Sequence, residues 1–431
     1  MATSSRPFAA AVLGAFACAG MALAQPGAPL PQLFPADNWW NVDVSQAPLD
    51  PQGAGFLSFI GTGRGMHPDF GGDVDPSDPS NPGVYGMIWV VVPGTQPLVP
   101  VTFDYDDESD NGAPGRPAGY PIPPQAITGP RWIEGGHPGN DDQGNDQHLL
   151  LVDRDHRLLF ETWQTRYNPS RQRWEAGSGA VFDLASNARR TEGWTSADAA
   201  GLAILPGLVR YDEATSGQPI RHAFRFTVRD TRSAHVFPAS HTACNDCPAQ
   251  APPMGTRLRL KAGVDLSRFP PYIQRIFQAM KTYGLILADN GSDMYISGAY
   301  DPHWNNDELN PAFGSLKAGD FEVVQLGWKP SGGGGGGSQA PNAPSGLTAA
   351  ASTSRRIRLT WLDKSNNEIS FRIEMRRGSG AFTEIRTLPA NTTSFVVPGL
   401  TPNTRYTFRM RAKGSPAYSA YSNRATATTL R

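Results

Sequence analysis

The stretch His148-Leu-Leu-Leu-Val-Asp153-Arg-Asp-His-Arg157-Leu-Leu-Phe-Glu-Thr-Trp163 sets the fold class of most of this chain. Two apolar runs of strand length flank the polar turn Asp153-Arg-Asp-His-Arg157, so the segment predicts a β-hairpin. Side chains alternate across a strand, which puts His148, Leu150 and Val152 on one face of the first arm and Leu159, Glu161 and Trp163 on one face of the second. If those faces coincide, an imidazole and a carboxylate lie near each other across the ladder. Such groups on an inward face are costly unless they are paired or used.

Similar runs extend the pattern outward. Met87 to Val92, Val99 to Phe103, Ile220 to Val228, Thr256 to Lys261, Leu285 to Ala288, Met294 to Ser297 and Phe321 to Leu326 all read as strands, separated by Gly, Pro and Asp clusters. One clear helix is expected from Pro271 to Tyr283, with Ile273, Ile276, Phe277 and Met280 at helical spacing and Gly284 as its stop. A shorter helical turn is expected at Ser196. The reading for residues 25–329 is all-β, a sandwich or jelly-roll-like body with one peripheral helix. The long loops from His67 to Pro82 and Asp104 to Pro130 exceed what connectors need, and such loops tend to carry sites.

The tract Gly332 to Gly337 sits in a Gly/Ser-rich stretch, residues 330–341, that reads as a flexible tether. Residues 342–431 carry 14 Lys/Arg against 4 Asp/Glu, and subtracting these from the chain totals of 38 and 39 leaves 24 against 35 elsewhere. Two bodies of opposite charge point to two partners: the basic one suits an anionic surface or polymer, and the acidic one argues against nucleic acid. At the other end Arg6, the apolar run Phe8 to Ala24 and the small residues Ala22 and Ala24 predict a secretory leader over residues 1–24. The expected location is therefore secreted or periplasmic, with no membrane span and a monomeric state. Cys244 and Cys247 are the cysteines beyond the leader; a local disulfide is the plain reading, with zinc held by His241, Cys244 and Cys247 as the sharper one and redox chemistry behind both.

Residues 342–431 carry a familiar series: Ala343-Pro344-Ser-Gly-Leu347, the strand Ile357-Arg-Leu359-Thr-Trp361, then Phe371-Arg-Ile373, the corner Leu400-Thr-Pro402-Asn-Thr-Arg-Tyr406, and Tyr406-Thr-Phe408-Arg-Met410. This series resembles a fibronectin type III domain over its whole length. The resemblance implies a β-sandwich serving as a spacer or substrate-proximity module, with Trp361, Ile373, Tyr406 and Phe408 as core. In the large body, Ile133-Glu134-Gly-Gly, Trp194-Thr-Ser-Ala-Asp198, Leu205-Pro-Gly-Leu-Val-Arg210 and Tyr283-Gly-Leu-Ile-Leu-Ala-Asp289-Asn-Gly-Ser292 resemble a widespread set of secreted bacterial proteins. That resemblance implies one domain and transfers no catalytic residue.

Polar groups that interrupt apolar strands mark the candidate chemistry. Polysaccharide cleavage by a glycoside hydrolase needs one protonated carboxyl and one carboxylate, with aromatic faces to stack on sugar rings. Glu161, Asp146 and Asp289 are the acids, His148 and His222 the assisting imidazoles, and Trp163 and Trp304 the platforms. In the alternative, a polysaccharide lyase, His148 or His222 abstracts a proton beside a uronate carboxyl that Arg221 or Arg257 neutralises. In a further arrangement His148 and His222 hold a divalent metal with Asp146 or Glu161. From a different class comes noncatalytic glycan binding at a cell surface. The acidic runs Asp73 to Asp78 and Asp104 to Asp110 have the acid density for structural calcium without the spacing of a known calcium loop. Each residue also has a plain structural reading: Glu161 and Asp146 as hydrogen-bond acceptors, the histidines as satisfied core groups, Asp289-Asn-Gly as a turn.

Overall fold

The computed structural model describes residues 24–30, 33–71, 86–112, 117–142, 144, 146–244, 246–329, 341–365, 368, 370–389, 392–414 and 418–431. The expected leader up to Leu23, the acidic run Asp73 to Asp78 and the glycine tract lie outside these residues. The chain divides into two compact units, one made of Pro51–Val323 with residues up to Ser45, the other of Gln46–Asp50 with Val324–Arg431.

Sheet is the leading regular structure of the large unit. Its first sheet orders the strands Gln25–Pro26, Trp89–Val92, Leu149–Asp153, Leu158–Trp163 and Ser178–Asp183. The expected hairpin is its centre, paired with Leu150 opposite Glu161 and Val152 opposite Leu159, so the two faces coincide. The turn is held by Asp153, whose Oδ1 accepts from the amides of Asp155 and His156 at 3.1 and 3.0 Å. Leu149 and Leu151 pack with Val90, Val92, Phe103, Tyr120 and Phe160 in an apolar cluster on one face. Leu150, Val152, Leu159 and Glu161 on the other face are also fully buried, so this hairpin is covered on both sides.

The second sheet orders Phe321–Val323, Arg257–Leu260, Leu285–Asn290, Phe224–Val228, Tyr295–Ser297 and His67–Asp69. Phe224–Val228 runs parallel to Leu285–Asn290, and Trp89–Val92 parallel to Leu149–Asp153. These parallel pairs join segments distant in sequence, which local patterning does not report. A third, small sheet orders Val101–Phe103, Arg173–Ala176 and Arg166–Asn168.

The expected helix is present as Pro271–Thr282, buries Ile273, Ile276, Phe277 and Met280, and packs on the strand Arg257–Leu260. Gly284 ends it at φ 76°, where an added Cβ would meet the Leu258 carbonyl oxygen. Three further α-helical segments occur among the described residues, Gly53–Ile60, Tyr211–Thr215 and Asn306–Ser315. The helical turn expected at Ser196 does not form: the Ser196 hydroxyl accepts from the Asp198 amide at 2.9 Å and makes a local bend instead.

In the C-terminal module, Ser345–Thr353, Arg356–Leu362 and Ser394–Val397 form one sheet, and Thr383–Pro389, Ser370–Arg377, Arg405–Lys413 and Ala425–Thr428 form the other. Trp361, Phe371, Ile373, Tyr406, Phe408 and Met410 share its core, as the alternation predicts. The Tyr406 hydroxyl accepts from the Thr401 amide at 3.0 Å and ties down the corner before its strand.

Candidate functional site

The end of the hairpin where His148 lies opposite Trp163 carries a network of buried charge. His148 is 3% exposed; its Nδ1 lies 2.6 Å from Glu134 Oε2 and its Nε2 3.1 Å from the Ala197 carbonyl. Backbone bonds reinforce the pair, Glu134 N–H donating to the His148 carbonyl at 3.0 Å and His148 N–H to the Glu134 carboxylate at 3.2 Å. Glu134 precedes Gly135 and Gly136, at φ 80° and 75°, and this run of left-handed residues lets the chain turn back on Ile133.

The second sheet and the segment 196–205 supply the rest. From the strand Phe224–Val228, Arg225 grips Asp198 with two bonds of 3.0 and 2.7 Å, donates to the Ser297 hydroxyl and reaches Asp289 at 3.4 Å. Arg225 and Asp198 are both buried, whereas Asp289 and Glu134 reach the rim with side chains 27% and 25% exposed. Glu161 is wholly buried and accepts from the amides of Ile204 and Leu205 at 2.8 and 2.9 Å, capping the short turn Leu205–Gly207.

Electrostatics sorts these groups into protonation states. Burial opposes the charge of His148, but the Glu134 carboxylate prevails and pushes the imidazole up to about 9. Burial likewise works against ionised Glu134, yet its contacts with His148 and the field of Arg225 hold it below the usual carboxylate range. Burial, then the neighbouring negative charge of Asp198, pushes Asp289 up to about 7. Burial also pushes Glu161 up to about 7 against its two amide bonds.

Several expected site residues therefore meet here: His148, Glu161 and Asp289 influence one another through the network, and Asp146 acts on His148 electrostatically. Asp146 also accepts from the Trp163 indole at 3.0 Å, fixing a ring beside the exposed Tyr105, with centroids 6.3 Å apart. Glu134, Asp198 and Arg225 have no site role on the sequence reading. A glutamate before two glycines inside a long loop was the available signal for the first. For Asp198 and Arg225 no local signal existed, since each is meaningful only beside the other.

Other expectations are corrected. His222 belongs to a different cluster, its Nε2 2.8 Å from Glu213 and its Nδ1 2.9 Å from the Ala223 carbonyl, so both ring nitrogens are engaged within the protein and it joins no metal set with His148. Burial opposes the charge of Glu213, but His222 and Arg210 lower it to about 2. Arg257 is no substrate group: it is tied to the carbonyls of Trp39, Val42 and Tyr283, and burial pushes it down to about 9. Trp304 offers no stacking face, being 3% exposed with its indole donating to the Ala299 carbonyl and its ring against Phe70. Cys244 and Cys247 form a disulfide, which removes the zinc reading. In the loop after Asp104, Asp110 pairs with Arg190 at 2.5 Å and Glu108 accepts from the Thr195 amide. Among the described residues no group of three or more His, Cys, Asp or Glu is placed to hold a metal ion.

Arg221 does face open space. It lines a cavity of about 570 Å3 with Arg210, Glu213, His222 and Tyr283. Arg221 is exposed and makes no hydrogen bond or ion pair among the described residues.

Comparison with known proteins identifies one unit. Residues 342–428 match the family model of the fibronectin type III domain. The C-terminal module is a fibronectin type III domain. Solved structures similar to the chain include domains A168–A170 from titin, at 19% identity, covering 22% of this chain and 33% of that one with a TM-score of 0.20. FN3tt, at 23% identity, covers 22% and 98% with a TM-score of 0.20. A Fn3-like protein from Clostridium thermocellum, at 23% identity, covers 22% and 97% with a TM-score of 0.19. This chain spans a third or less of the first two structures matched, both from titin. No curated protein matches the sequence. No helix among the described residues is long and apolar enough to cross a membrane.

Proposed function

We propose that the protein is a secreted carbohydrate-active enzyme whose large unit hydrolyses a polysaccharide, with Asp289 as general acid and Glu134 as its ionised partner. What supports this reading is that two partly exposed carboxylates beside buried His148 and Arg225 are shifted in opposite directions, Asp289 up and Glu134 down. Protonated Asp289 gives its proton to the glycosidic oxygen as the C–O bond breaks, while Glu134 attacks the anomeric carbon or takes the proton of an attacking water. Arg225 and His148 position the two acids without touching substrate, and Trp163 with Tyr105 offers aromatic surface at the same end of the hairpin. Glu161 leaves the catalytic pair because both its oxygens are capped.

The test incubates the mature chain with a broad polysaccharide panel and measures new reducing ends. Asp289→Asn and Glu134→Gln are each expected to lower turnover by about a hundredfold or more, measured at a temperature where the melting transition of each variant shows it folded. Full activity in either variant removes that residue from the reaction, and unsaturated ends in place of plain reducing ends identify a lyase. A second reading, glycan binding without cleavage, draws on the cavity where unpaired Arg221 stands near Tyr283, a pairing suited to an acidic sugar. It predicts retention of a uronate polymer, weakened by Arg221→Ala, with no new chain ends.

A further inference from the structure

We propose that the outer face of the four-stranded sheet in the fibronectin type III domain is a docking surface for an anionic polysaccharide, read by a row of arginines stacked on aromatic rings. The inference rests on this domain alone and stands or falls apart from the hydrolase reading.

Within the sheet, Ser370–Arg377 pairs with Arg405–Lys413 so that Arg372 lies opposite Arg411 and Glu374 opposite Arg409. Like charges directly opposite on a sheet are destabilising, so stability does not account for two arginines facing each other. Nor does local neutralisation. Arg372 is answered by Glu384 at 2.6 Å and Arg409 by Glu374 at 2.7 Å, but Arg376, Arg411 and Arg424 have no carboxylate partner among the described residues. These five arginines against two glutamates leave three positive charges unmatched.

Aromatic rings fill the place of the missing carboxylates. The Arg411 guanidinium lies 4.0 Å over the Tyr418 ring and 4.9 Å from that of Tyr421, which Arg409 covers at 3.8 Å. Phe382 receives Arg376, Arg409 and Arg424 at 4.9, 4.3 and 5.7 Å. Stacking fixes the planar groups before any ligand arrives, which lowers the ordering cost of binding. The Nε atoms of Arg372, Arg376 and Arg411 are buried without a hydrogen bond, so contact with a ligand falls to the terminal guanidinium nitrogens.

The geometry also selects the ligand. Strand spacing sets the backbone positions that carry these cations about 4.8 Å apart between strands and about 6.8 Å along one, an array that suits a repeating anion better than a single small one. Single-stranded nucleic acid would need open aromatic faces for its bases, and here guanidinium groups lie over those faces. What remains is a plane of donors for carboxylate or sulfate groups on a sugar chain.

The experiment uses the full mature chain on immobilised dextran sulfate, with neutral dextran as its uncharged counterpart. The wild type is expected to be retained on dextran sulfate only, with affinity falling steeply as salt rises. Arg376→Gln with Arg411→Gln should weaken retention by about tenfold or more and make the log–log salt slope shallower by about two. Arg355→Gln with Arg356→Gln removes the same charge from the opposite sheet and should cost less than about threefold. Arg376→Lys with Arg411→Lys keeps charge without the planar stack and should lose at least about threefold, with the melting temperature of every variant confirming the fold. Equal losses in the two glutamine pairs, wild-type binding by the lysine pair, or retention on neutral dextran would overturn the proposal. Tighter binding to single-stranded DNA or to phosphatidylserine vesicles than to dextran sulfate would overturn it equally.

Discussion

The two units handle charge in opposite ways. The fibronectin type III domain keeps an apolar interior of Trp361, Phe371, Ile373 and Phe408 and spreads its arginines over an outer face. The large unit buries Arg225, Asp198, His148 and Glu161 between strands and loops. An ion pair at a surface contributes little because water screens it, whereas a buried one is tolerated only when every member is answered. The difference teaches where function is to be sought in each unit: inside the large one, where a charge has a tuned protonation state, and on the surface of the small one, where charge is simply available.

The sharpest way to break this comparison is to unpair a buried cation. Asp198→Ala leaves Arg225 with the Ser297 hydroxyl and a 3.4 Å contact to Asp289, and about 3–5 kcal/mol of stability should be lost in urea unfolding. A loss below about 1 kcal/mol would show that water reaches the network. Next comes pH. His148 is raised from its ordinary 6.5 to about 9, so its contribution is complete below pH 6.5 and is lost as pH rises through 9, on the order of 3 kcal/mol. His148→Gln should flatten the thermal-unfolding profile across that window; an unchanged slope would assign the pH dependence elsewhere. Asp289 adds to the decline at lower pH, since a carboxyl raised to about 7 loses its stabilising effect between its ordinary value and 7, and catalytic turnover should fall above pH 7 for the same reason.

Glu161→Ala should cost about 2–3 kcal/mol by leaving two buried amides without an acceptor. Glu161→Gln keeps one acceptor oxygen but turns its NH2 toward the second backbone N–H, so it should cost about 1–2 kcal/mol and spare activity. Strong loss of turnover in a stable Glu161→Gln protein would return that residue to the reaction. The smallest effect belongs to the outer face of the small domain, where Glu384→Gln should change stability by a few tenths of a kcal/mol, about the worth of an exposed pair with Arg372. A cost above about 1 kcal/mol there would erase the contrast between the units.

The small domain was legible almost entirely from its sequence, because each strand buries every second residue and Trp361, Tyr406 and Phe408 announce that period. The hairpin Leu149–Asp153 with Leu158–Trp163 was legible for the same reason, including the shared face of His148 and Glu161. Trp304 and Arg257 misled: residue type suggested a stacking ring and a substrate cation, and burial assigned both to the scaffold.

From the order of residues alone follow the β-rich body, the helix from Pro271, the basic fibronectin-like module and the presence of imidazole and carboxyl groups on inward faces, since these depend on local period and turn chemistry. Which carboxylate answers which cation depended on parallel pairings such as Phe224–Val228 with Leu285–Asn290 and on loops that bring Glu134 to His148 and Asp198 to Arg225. Protonation of a side chain is set by burial and by charges a few ångströms away, and the hydrogen-bonded charged pairs of this network alone lie 14 to 64 positions apart in the chain. Only the tertiary structure could decide them.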